Sequence, residues 1–182
     1  DSTITGEVGK THAVTKINAA AANSTSTFEE VVNAANITLG AGTAVFNDSV
    51  TGVITTNSGI IKLSSGKQID GTIDGSEDNV GELVLLGDAT LLGAVGHSHS
   101  LSSITTAAHS TATFDSTVNT QTLNFSGDVV FNKQADIANT VYFTADDQSM
   151  LVKAGSNFNT NFAGTDSIIT FDATDGNITF NG

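Results

Sequence analysis

Asp88 to Phe114 reads DATLLGAVGHSHSLSSITTAAHSTATF, and it repeats the first 28 residues, DSTITGEVGKTHAVTKINAAAANSTSTF. Asp1 aligns with Asp88, Thr3 with Thr90, Gly6 with Gly93, and Val8-Gly9 with Val95-Gly96. His12 falls on His99 and Ile17 on Ile104. One residue of the alanine run then drops out. Ser24, Thr25, Thr27 and Phe28 align with Ser110, Thr111, Thr113 and Phe114, and the register runs on through Val32-Asn33 onto Val118-Asn119. The tail DGNITFNG, Asp175 to Gly182, reads as the opening of a third copy. The repeat is therefore ~87 residues long, against ~20–50 for a single structural unit, so each copy holds several smaller units. The chain divides into a first long repeat at 1–87, a second at 88–174 and the start of a third at 175–182, within one continuous domain.

Inside each copy, apolar residues come in short clusters that alternate with Thr, Ser or Asn. TSTF at 25–28, NITL at 36–39, TAVF at 43–46, ELVLL at 82–86, TATF at 111–114 and DVVF at 128–131 show the pattern. Such period-2 runs, rich in β-branched residues and Phe, are strand signals. Gly, Asn, Asp and Ser fill the gaps between them, as turns require. A capping-box spacing at Ser26-Thr-Phe-Glu29, before EVVNAA, is the one helix signal. Its counterpart at Thr113–Asn119 has no box, and two copies of one unit share one structure, so both are assigned as strand.

Short, closely spaced strands with short turns leave two all-β architectures, a right-handed parallel β-solenoid and, as the alternative, a β-sandwich. The repeat favours the solenoid, because a repeat implies translation along an axis. So does the recurrence of Phe at strand ends, Phe28 with Phe114 and Phe46 with Phe131, which would stack in the interior. Rungs of ~20–22 residues give about four per long repeat and about eight in all, a rod on the order of 40 Å at ~4.8 Å per strand. Asn and Ser at the turns would then form side-chain ladders. Both termini remain within the repeat pattern and show no polar cap, so copies of this chain meeting end to end are an expected partner.

The composition narrows the function. Nineteen acidic and six basic residues give a net charge of −13. All the basic residues are lysines, Lys10, Lys16, Lys62, Lys67, Lys133 and Lys153, and they are scattered. Nucleic-acid binding needs clustered cations to displace counterions, and this chain has none, so nucleic acid is excluded as a partner. An anionic lipid surface is disfavoured by the same repulsion. No run is apolar for long enough to span a bilayer, so no membrane insertion is expected of this segment. No basic and apolar leader stands at the start, so any signal peptide is expected to be removed or to lie outside this sequence. There is no cysteine and no proline. The first rules out disulfides and thiolate sites, and the second suits a chain made almost wholly of central strands.

GELVLLGDATLLGAVGHSHSLSSI, followed by TATF, DSTV and NTQTLNF, resembles the passenger repeats of the rickettsial-type outer-membrane surface antigens. Those are large autotransporters whose repeats run through a strand, a GD-T-hydrophobic step, G-VG and N/S-L-I, then a TATL-like strand, a turn and an IKLT-like strand. TITGEVGKTHAVTKI with STSTF, EEVV and NAANITL keeps the same cadence, so the resemblance covers most of the chain. Glu29-Glu30 and the histidines at 97 and 99 depart from it. The resemblance implies a secreted passenger exposed on a bacterial surface, acting in adhesion or a surface layer, with no catalytic residues.

Few residues suggest a site. His97 and His99 lie two apart and could share one side of a strand, but zinc needs further ligands and the first copy has Lys10 in place of His97, so a solvated turn is the expectation. The densest acidic stretch runs from Asp70 to Asn79. Its carboxylates Asp70, Asp74, Glu77 and Asp78 are the metal candidates, with calcium as the ion, although the spacing is not that of an EF-hand loop. Asp146-Asp147, and Asp172 with Asp175, are lesser versions of the same idea. No other cofactor is expected. Parallel β-helices also host glycan-cleaving enzymes, which set two carboxylates across the scissile bond. Here the chain is duplicated, Tyr142 is the only tyrosine, and no phosphate loop, GxSxG elbow or HExxH occurs. The expectation is a non-catalytic extracellular segment of a bacterial surface protein, partnered by a host or neighbouring-cell surface molecule. A self-assembling filament subunit is the first alternative and a glycan-acting enzyme the second.

Overall fold

The computed structural model describes residues 1–153, 156–158, 161–164, 167–172 and 179–180. Regular structure among them is entirely strand, and every pairing is parallel. The first ten strands are β1 (Ser2–Ile4), β2 (Val14–Ala19), β3 (Thr25–Phe28), β4 (Val32–Leu39), β5 (Thr43–Phe46), β6 (Val50–Thr56), β7 (Ile60–Leu63), β8 (Lys67–Asp70), β9 (Ile73–Gly75) and β10 (Glu82–Leu85). The next ten are β11 (Ala89–Leu91), β12 (Leu101–Thr106), β13 (Thr111–Phe114), β14 (Val118–Phe125), β15 (Asp128–Phe131), β16 (Ala135–Phe143), β17 (Gln148–Lys153), β18 (Asn157–Phe158), β19 (Asn161–Gly164) and β20 (Ser167–Asp172). β21 (Thr179–Phe180) follows. The capping-box segment is β3 running into β4, so alternation overrides the helix signal there.

The chain winds as a parallel β-solenoid of about eight turns. A β-sandwich would require antiparallel strands within each sheet, and the described residues contain none. Stacked residues lie between 17 and 24 positions apart, as Asn47 and Ser64 do at the short limit and Asp1 and Thr25 at the long one. Three ladders run along the coil. The first carries Phe28, Phe46, Leu63, Leu85, Thr106, Phe125 and Phe143 in one inward row. The second carries Val32, Val50, Ile69, Leu91, Phe114, Phe131 and Val152. The third carries Ile37, Ile54, Ile73, Val95, Val118 and Ala135.

Alternation explains the core. β3, β5, β7 and β15 share one pattern in which every second residue is buried, because side chains alternate across a strand. The inward residues of all three ladders merge into one apolar column. Phe28 stacks on Phe46 with ring centroids 5.1 Å apart, and Phe114 stacks on Phe131 at 5.2 Å. Between the second and third faces the chain bends sharply at Gly52 and Gly71, at φ +139° and +147°. A Cβ on Gly71 would overlap the carbonyl oxygen of Gly52 one turn below, so only glycine lets the corner stack.

The pairings of the first ten strands return ten strands later. β3 pairs with β1 and β5, and β13 pairs with β11 and β15. β6 pairs with both β8 and β9, and β16 with both β18 and β19. Local details return as well. The Asp1 carboxylate accepts the Thr25 N–H at 2.7 Å, and the Asp88 carboxylate accepts the Thr111 N–H at 2.8 Å. Ser24 Oγ donates to the Ala21 carbonyl at 2.8 Å, and Ser110 Oγ to that of Ala107 at 2.7 Å. Asn23 and its counterpart His109 both take a left-handed conformation, φ 61° and 56°.

The recurring strands do not return to the same face. After β1, the first face is visited by β3, β5, β7 and β10, and the next strand, β11, falls on the second face against β8. One long repeat therefore advances four turns and one face further. This is why the continuous bent strands of the first copy, β4 and β6, join the second face to the third, whereas their counterparts β14 and β16 join the third to the first. β21 pairs with β18 on the third face. The rest of the expected third copy, with Asp175, lies outside the described residues.

Candidate functional site

The outer surface is built from turns, and stacked turns place like positions above one another. At the corner after the first face, Asn47 Nδ2 donates to the Glu29 carboxylate at 2.8 Å, and Ser64 Oγ donates to Asn47 Oδ1 at 2.8 Å. The second copy repeats the lower step, with Asn132 Nδ2 donating to Asp115 at 2.6 Å. These are the expected Asn and Ser ladders, and in both copies a carboxylate begins the ladder. Beside the first, the Lys67 ammonium lies 3.1 Å from the Asp48 carboxylate. The Ser49 N–H donates to Asp48 at 2.7 Å and, with Lys67, holds its carboxyl below the ordinary value. Backbone and ammonium donors both favour the ionised form.

The four calcium candidates are spread along the chain rather than gathered. Asp70 ends β8 on the second face and is exposed. The Gly71 corner intervenes, and Asp74 lies on β9 of the third face with its carboxylate accepting the Ser98 N–H at 2.9 Å. Glu77 and Asp78 occupy the following loop. Asp78 accepts the Ser100 N–H at 3.2 Å and faces His99 Nδ1 at 3.4 Å. The Asp74 and Asp78 carboxylates thus clasp the GHSHS loop of the next turn, Gly96 to Ser100, while Ser100 Oγ donates to Asn79 at 2.8 Å. Among the described residues, no three His, Cys, Asp or Glu side chains converge as a metal-binding group. His97 and His99 are both exposed in that loop. The side chains of Asp172 and Asp175 lie outside the described residues.

Aspartate therefore acts mainly as a clasp between turns. Asp1, Asp74, Asp78, Asp88 and Asp128 each accept a backbone N–H from the turn above. Acidity alone did not mark this role in the sequence; the pairing of Asp1 with Asp88 across the copies was the available signal. Several depressions on the described surface are open to solvent. One, of about 440 Å³, is lined by Ala19, Ala20, Ala21, Ser24, Gly40 and Asn57 at the edge of the first turns and contains no ionisable group. No family model, curated protein or solved structure matches the chain.

Proposed function

We propose that this chain is a non-catalytic structural segment of a bacterial cell-surface or extracellular protein, of the adhesin or surface-layer passenger kind. The observation that supports the reading is continuity. One apolar column and three hydrogen-bonded ladders run the described length of the coil, with the carboxylates used to tie turn to turn. Such an object is a stiff spacer that holds loops away from a surface. A host or neighbouring-cell molecule would meet it at the exposed turns. Antibodies against the purified chain, applied to intact and to permeabilised cells of its source, test this. Labelling of intact cells is expected; labelling only after permeabilisation would overturn the reading.

One observation favours a second reading, end-to-end contact between copies in a filament. Two large apolar side chains of β20 are exposed, Ile168 at 68 % and Phe171 at 44 %. Exposed apolar surface on one strand is suited to contact with another copy, and a head-to-tail contact that does not close makes a fibre. Electron microscopy of the chain at low and high salt tests it: fibres that lengthen as salt screens the −13 charge would support it, and isolated short rods in both conditions would exclude it.

A further inference from the structure

We draw no further inference here: the strongest candidate, the flat outer side of the first face, where Thr27, Val45, Lys62, Val84, Thr105 and Asn124 form one outward row, is an unpartnered sheet face, and nothing in the structure shows what covers it.

Discussion

Phe28 and Phe114 hold the same place in their copies yet lie on different faces of the coil. Phe28 stands in the first ladder beneath Phe46, and Phe114 in the second, between Leu91 and Phe131. Equivalent residues are thus turned about a third of a turn around the axis from one copy to the next. Equivalent loops project on different sides, the one between β1 and β2 from one corner and GHSHS from the next. A rod of this kind shows its surface features around its circumference rather than along one edge.

Both rings are buried and stacked at nearly the same distance, so truncating either should cost the same. F114A is expected to destabilise by ~3–5 kcal/mol, with F28A close behind it in the first turns. Chemical denaturation of the two variants measures this. An unchanged midpoint for F114A would place that ring on the surface and break the second ladder.

The Gly71 corner gives a sharper test of stacking. G71A places a methyl group against the Gly52 carbonyl at a backbone φ of +147°, whereas a Cβ at Gly6 meets nothing within 4 Å. G71A should lower the melting temperature strongly and G6A hardly at all. Equal effects would mean that the turns do not approach at that corner.

Asp48 tests the turn-to-turn pairing through pH. Its folded pKa is depressed by the Ser49 N–H and then by Lys67. The stabilisation it gives is present above the unfolded carboxyl value of about 3.9 and lost as pH falls through the folded value. The pair is partly exposed and screened, so the effect stays under about 1 kcal/mol. D48N should destabilise the chain at pH 7 and match the wild type once pH is below both values. A penalty that persists unchanged in acid would assign the loss to shape rather than charge.

Gln148 predicts a gain. Gln148 is 3 % exposed with neither carboxamide atom hydrogen-bonded, and Q148M exchanges that group for an unbranched apolar chain of similar size, which fits an irregular inward site. The variant should be more stable than the wild type by ~1–3 kcal/mol in chemical denaturation. A loss of stability would show that the amide is satisfied in solution.

The strands and their inward faces were legible because alternation over four residues, as in TSTF, TAVF and DVVF, fixes which side is buried. The number of turns was legible from the repeat, since ~87 residues divide into rungs near 20. The one-face offset was not. It depends on how many corners the chain makes between Asp1 and Asp88, and a bent strand such as Val32–Leu39 hides a corner inside an unbroken apolar run. The acidic stretch from Asp70 reads as one ligand set because spacing does not show that Gly71 turns the chain onto another face. Gln148 gave no signal, because a lone Gln before an apolar strand reads as a turn residue.

The offset between copies is the central claim, and the chain has no cysteine to complicate a cross-linking test. Thr90 of β11 stands beside Gln68 of β8 on the second face, while Lys62 of β7 belongs to the first. Had the repeat advanced by whole turns, Thr90 would instead stack over Lys62. Adjacent strands lie ~4.8 Å apart, within reach of a disulfide. Mild oxidation of Q68C/T90C and of K62C/T90C, read by mobility on a denaturing gel, decides between them. The account predicts rapid cross-linking of Q68C/T90C and none of K62C/T90C; the reverse would contradict it.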